Sequence, residues 1–134
     1  DGRQGLVCGP IDVLAQEPDH PQANNDLGYL WADRNKNLEQ ARAMVTKALK
    51  AEPDNAAYKD SMGWVLFKQG DLNGALGFLQ KAYAIKPDAE IAAHLGEVLW
   101  QLGKREDALR VWSEASARHP ESEELRAVRK KFQP

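Results

Sequence analysis

One block of this chain occurs twice. Ser61-Met62-Gly63-Trp64-Val65-Leu66-Phe67-Lys68-Gln69-Gly70-Asp71-Leu72-Asn73-Gly74-Ala75-Leu76 returns in near copy as His94-Leu95-Gly96-Glu97-Val98-Leu99-Trp100-Gln101-Leu102-Gly103-Lys104-Arg105-Glu106-Asp107-Ala108-Leu109. A segment repeated at a period in the thirties is a supersecondary unit that cannot bury its apolar face alone, so successive copies must stack. Four columns keep phase. Gly28, Gly63 and Gly96 lie 35 and 33 residues apart; Ala41, Ala75 and Ala108 follow, then Ala48, Ala82 and Ala115, then Pro53, Pro87 and Pro120.

A glycine inside a helix costs roughly 0.5–1 kcal/mol relative to alanine. Three of them in register therefore predict sites where two helices come very close, with the alanine columns facing the glycines from the second helix of each unit.

Taken in order, residues 1 to 9 carry three glycines and no helical period, and they read as a loose lead-in. Pro10 opens a short helix with Ile11, Val13 and Leu14 as apolar surface, halted by Pro18; it looks like a helix that has lost its partner, part of a preceding repeat. The first complete unit pairs a helix near Gln22 to Asp33, bearing Leu27, Leu30 and Trp31, with one bearing Leu38, Ala41, Val45, Ala48 and Leu49. Asn37 is expected to cap that second helix, with Gln40 reaching back. The second unit pairs Ala56 to Gln69 with Leu72 to Ile85 through Gly70-Asp71, and the third pairs Ala89 to Leu102 with Arg105 to Arg118 through Gly103. Glu121 to Lys131 is one more helix, acidic at its start and basic at its end, apolar only at Leu125, Val128 and Phe132, as a solenoid cap should be. The divisions are 1–19 lead-in and partial helix, 20–53, 54–87 and 88–120 for the three units, and 121–134 for the cap.

With 43% hydrophobic and 28% charged residues and a net charge of −2, the chain offers no general attraction to nucleic acid or anionic lipid. No apolar run approaches the ~20 residues that span a bilayer, so no direct membrane insertion is expected of this segment. Cys8 has no second cysteine to pair with, and Val7 and a start at Asp1 do not supply a bacterial lipidation site. His20, His94 and His119 are too scattered for a local metal site and read as surface or groove histidines. No phosphate loop, nucleophile elbow or His-Glu-x-x-His stretch occurs, so the reading is non-catalytic and without cofactor or metal.

The columns resemble the tetratricopeptide repeat (TPR) family, helix-turn-helix units of about 34 residues. Leu27-Gly28, Met62-Gly63 and Leu95-Gly96 fill its first pair; Trp31, Leu66 and Leu99 the next site; Ala41-Val45, Ala75-Leu79 and Ala108-Trp112 the second helix. The likeness covers about residues 20 to 120. Two departures stand out: the family's early tryptophan position holds Asn24, Lys59 and Ala92, and the first unit has one extra residue in its turn while the third has one fewer after the proline. The resemblance implies an all-α, right-handed superhelical solenoid with a C-terminal capping helix.

In that family the first helix of each unit lines a concave groove. Carried over, the groove residues are Asn25, Tyr29 and Asp33; Asp60, Trp64, Phe67 and Lys68; and Glu97, Trp100 and Gln101, an aromatic and mildly acidic set. The competing reading is that these aromatics pack between units; Trp31 and Trp112 belong to core columns in either case. The basic clamp with which some relatives grip a chaperone's carboxylate tail is absent, the matching sites holding Asn25 and Tyr29, Ser61, and Glu90 and His94. The expected function is a scaffold or adaptor binding another protein or peptide. The alternative is self-assembly into a homo-oligomer, the orphan N-terminal helix and Leu6-Val7 docking on a neighbouring chain. A looser likeness to the C-terminal repeats of long bacterial TPR proteins, some of them envelope-attached, implies a periplasmic or envelope-attached location; without it the chain reads as cytoplasmic.

Overall fold

The computed structural model describes residues 9–133, which form eight helices and no strand. These are α1 (Pro10–Gln16), α2 (Pro21–Asp33), α3 (Leu38–Ala51), α4 (Ala56–Lys68), α5 (Leu72–Ile85), α6 (Ala89–Gln101), α7 (Arg105–Arg118) and α8 (Glu123–Phe132). Cys8 and Leu6-Val7 lie outside the described residues.

Side chains close most helix starts. His20, Asn55, Asp71, Asp88 and Ser122 accept hydrogen bonds from the backbone N–H of Ala23, Tyr58, Gly74, Ile91 and Leu125, satisfying donors that have no partner inside the helix. Asn37 does not do this, contrary to the sequence expectation. Its backbone is left-handed (φ 49°, ψ 45°), and its side chain makes no capping bond. The extra residue in the first turn explains the difference. Two left-handed positions, Asn35 (φ 56°) and Asn37, reverse the chain there, whereas the later turns use one glycine each, Gly70 (φ 90°) and Gly103 (φ 82°). Asparagine tolerates this conformation better than most side chains, but a residue so placed is not in the extended geometry from which a cap reaches forward.

The helices pair as α2 with α3, α4 with α5 and α6 with α7, while α2, α4, α6 and α8 pack in succession and α1 rests on α2. The repeat columns supply the core. Ala41, Ala75 and Ala108, their partners Ala48, Ala82 and Ala115, and the intervening Val45, Leu79 and Trp112 are all inaccessible to solvent. A methyl placed on Gly28 would meet Val45 at 2.8 Å, and one on Gly63 would meet Leu79 at 2.6 Å; on Gly96 it would overlap the Trp112 indole. The glycines thus make room for the large side chain four residues after each alanine. The alanines face them mainly through backbone, with Ala41 and Ala75 carbonyl oxygens 3.0 and 3.2 Å from the added methyls. At the C-terminal end, Leu125 and Val128 of α8 are buried and Phe132 stacks on Trp112 at 5.8 Å. Apart from Ala127, the rest of α8 is polar.

Candidate functional site

Because α2, α4, α6 and α8 pack side by side, side chains at the same level on neighbouring helices meet across one face. Its centre is His94 on α6. The ring Nδ1 lies 2.8 Å from Asp60 Oδ1 on α4, and Nε2 lies 3.2 Å from the Tyr29 hydroxyl on α2. In the neutral ring, Nδ1–H donates to Asp60 and the Tyr29 O–H donates to Nε2; in the imidazolium both ring nitrogens donate. Burial opposes the imidazolium, but the Asp60 carboxylate, by charge and by hydrogen bond, and then Glu90 and Glu97 outweigh it, so His94 titrates above the ordinary histidine value. Tyr29 is held far above the usual phenol range by burial and by the negative charges of Glu90, Asp33 and Asp60.

An aromatic layer covers this polar chain. The Trp64 ring stacks on His94 at 4.1 Å and on Phe67 at 4.9 Å, its Nε1–H donates to Asp33 at 3.1 Å, and the Lys68 ammonium stands 5.1 Å from its centroid. Two depressions adjoin the polar chain. One, about 370 Å³, is lined by Gln22, Asn25, Asp26, Tyr29, Leu30, Ala57, Asp60, Ser61 and Glu90. The other, about 230 Å³, lies between Trp64, Ala93, His94 and Glu97 and the α8 residues Glu124, Ala127, Val128 and Lys131. The Asp60–His94–Tyr29 chain forms the wall between them.

Of the residues expected in the groove, Tyr29, Asp33, Asp60, Trp64, Phe67 and Lys68 come together around His94. Asn25, Asp60 and Trp64 are buried at 6%, 5% and 6% exposure, in the floor of the face rather than projecting from it. Glu97 is half-buried and pairs with Lys131 of α8 at 3.2 Å. Trp100 belongs to a separate cluster, with Trp112 at 5.9 Å, Phe132 at 5.4 Å and the Arg105 guanidinium 4.8 Å from its ring, and Gln101 is exposed beside it. Trp112 is buried as expected and Trp31 is half-buried against the core.

The histidines divide three ways. His20 caps α2, His119 Nε2 lies 3.3 Å from the Pro87 carbonyl, and His94 is 8% exposed at the centre of the face. Its role escaped the sequence reading, as did those of Glu90 and Lys131. A signal was available in the period. Asp60 and His94 are separated by 34 residues, and so are Glu97 and Lys131, so complementary chemistry one repeat apart marks the contacts between successive first helices.

This architecture can be compared with known proteins. Family models described as tetratricopeptide repeat match residues 66–132 and, in two further placements, 11–56 and 32–90. The chain belongs to the tetratricopeptide repeat family. A TPR repeat-containing protein of Pseudomonas aeruginosa is 48% identical over 85 residues; the match spans 63% of this chain and 14% of that relative's length. Among solved structures, the thermophilic TPR protein TTC0263 of Thermus thermophilus superposes with a TM-score of 0.76 at 23% identity, over 88% of this chain and 66% of its own. MamA superposes with a TM-score of 0.69 at 18% identity, over 92% and 74%. At those identities the likeness is one of fold, an all-α TPR solenoid, and that fold mediates protein–protein interaction. No helix among the described residues is long and apolar enough to cross a membrane.

Proposed function

We propose that this TPR segment is a scaffold whose first-helix face receives an extended or helical stretch of another protein, with units divided at 20–53, 54–87 and 88–120. The observation that supports this most is the stack of Phe67, Trp64 and His94 between two open depressions, with half-buried Tyr29, Lys68 and Glu97 around it. A largely buried aromatic floor ringed by mixed charge fits the desolvated centre of an interaction hot spot. Buried Trp64, Asp60 and Asn25 shape the floor, while Tyr29, Asp33, Phe67, Lys68, Glu97, Trp100 and Gln101 are the less enclosed side chains available for direct contact. A photo-crosslinking amino acid at Phe67 or Gln101, compared with one at Ile85, which is 51% exposed, tests this in extract of the source cell. Distinct adducts from the first two positions alone are expected; equal labelling from Ile85 would overturn the assignment.

A second reading is self-assembly, favoured by one feature. Helix α1 buries no residue and leaves Ile11 66% exposed. A covering copy of the chain would make mass by light scattering rise with concentration and Ile11→Lys abolish the rise; a monomer throughout would refute it.

A further inference from the structure

The depression between α2, α4 and α6 carries a chemistry that the rest of the face does not. Three carboxylates, Asp26, Asp60 and Glu90, line it, and no lysine or arginine does. The partial burial of Glu90, together with the charge of Asp60, lifts the Glu90 carboxyl above the ordinary carboxylate range, and only His94 acts in the opposite direction. Asp60 already gives one oxygen to His94. Asn25 supplies an independent observation. It is 94% buried in the wall of the same depression, its amide N–H donates to Asp26 at 3.2 Å, and its Oδ1 is enclosed with no hydrogen-bond partner. A buried acceptor left without a donor costs about 1–3 kcal/mol, so a donor that displaced the side chains enclosing Oδ1 would recover that cost on binding.

We propose that this depression is a specificity pocket for an arginine side chain of the bound partner segment, resting on the groove reading above. The geometry selects the ligand class. Among the described residues no three His, Cys, Asp or Glu side chains are placed to hold a metal ion. The acceptors are spread over three helices, with Asn25 and Asp26 on α2, Asp60 on α4 and Glu90 on α6, and the walls between them are the Tyr29 ring, Leu30 and Ala57. A guanidinium has five donors in a plane and a weakly hydrated face that stacks on aromatic surface, which suits a wide ring of acceptors around a phenol. The compact, strongly hydrated ammonium of lysine suits it less. A volume of about 370 Å³ accommodates the guanidinium and its methylene stem.

The test is selection of random twelve-residue peptides displayed on phage against the whole chain. The enriched sequence is then titrated by fluorescence anisotropy, alongside copies carrying lysine or citrulline in place of arginine. The proposal expects arginine at one fixed position. It expects a loss of at least fivefold in affinity for citrulline, which keeps the shape and removes the charge, and a smaller loss for lysine. Glu90→Gln and Asp26→Asn alter carboxylates at the solvent-facing rim and should leave the melting temperature in place. Each should weaken the arginine peptide at least fivefold and leave the citrulline peptide unchanged. Enrichment of peptides without arginine, a citrulline loss below fivefold, or preference for lysine overturns the pocket while the groove reading stands. Failure to enrich any peptide overturns both.

Discussion

The sharpest test of the packing compares two substitutions of identical chemistry, Gly96→Ala and Gly77→Ala. Both sites lie inside helices, α6 and α5, so each alanine gains about 0.5–1 kcal/mol of helix propensity. At Gly77 a methyl would meet nothing within 4 Å, and the gain stands alone. At Gly96 the methyl overlaps the Trp112 indole, which is fully buried, stacked between Trp100 at 5.9 Å and Phe132 at 5.8 Å, and aimed through Nε1 at the Ala93 carbonyl 3.5 Å away. Displacing a ring held on three sides costs about 2–3 kcal/mol, the upper part of the overpacking range, and losing its weak hydrogen bond adds up to about 1 kcal/mol. Gly96→Ala should therefore destabilise by about 1–3 kcal/mol net and Gly77→Ala should stabilise by about 0.5–1 kcal/mol. For a chain of this size these correspond to shifts of roughly −3 to −12 °C and +2 to +5 °C. Urea unfolding followed by circular dichroism and by tryptophan fluorescence measures both, and coincidence of the two signals checks that one transition is being read. A Gly96→Ala protein as stable as the parent, or shifts of the same sign, would refute the argument that the repeat glycines are spacers for the opposing side chain.

Two further outcomes follow from the site. Trp64→Ala should cost about 3–5 kcal/mol in urea unfolding, because the ring is buried between Phe67 and His94 and bonded to Asp33; a loss below 1 kcal/mol would make it a free contact residue. His94 titrates higher in the folded chain than in the unfolded one, so its stabilising effect is complete below pH ~6.5 and disappears as pH rises through the folded value. The urea midpoint should accordingly fall toward alkaline pH in the parent and fall less in Asp60→Asn; a midpoint that rises over that range would contradict the pairing.

What could be read from the sequence was whatever repeats in phase. Gly28, Gly63 and Gly96, the alanine pairs and the prolines report steric facts that recur in every unit, so periodicity alone exposes them. The faces of α3, α5 and α7 follow from the same columns. The misses are places where one unit differs from the others. Asn37 resembles a cap by residue type, yet the extra residue in its turn changes its backbone region. Trp64 falls at a groove position by register, but how far it sinks depends on His94 and Asp33 from the neighbouring first helices. His94 looked solitary because its partners, Tyr29 and Asp60, are remote in the chain and meet it only through stacking.

The side chain that each repeat glycine accommodates grows along the chain, from Val45 to Leu79 to Trp112, and only the last belongs to a cluster of three rings closed by α8. The first turn, conversely, holds two asparagines in a left-handed backbone where the later ones use a glycine. In a stack whose units pack mainly on their neighbours, with the Tyr29–His94 bond reaching one unit further, such a gradient predicts a direction for unzipping. The α2–α3 pair is expected to open before the α6–α8 cluster, so a segment bound across the Asp60–His94–Tyr29 chain would lie over the boundary between the more yielding part of the described residues and the firmer part, clamping one to the other.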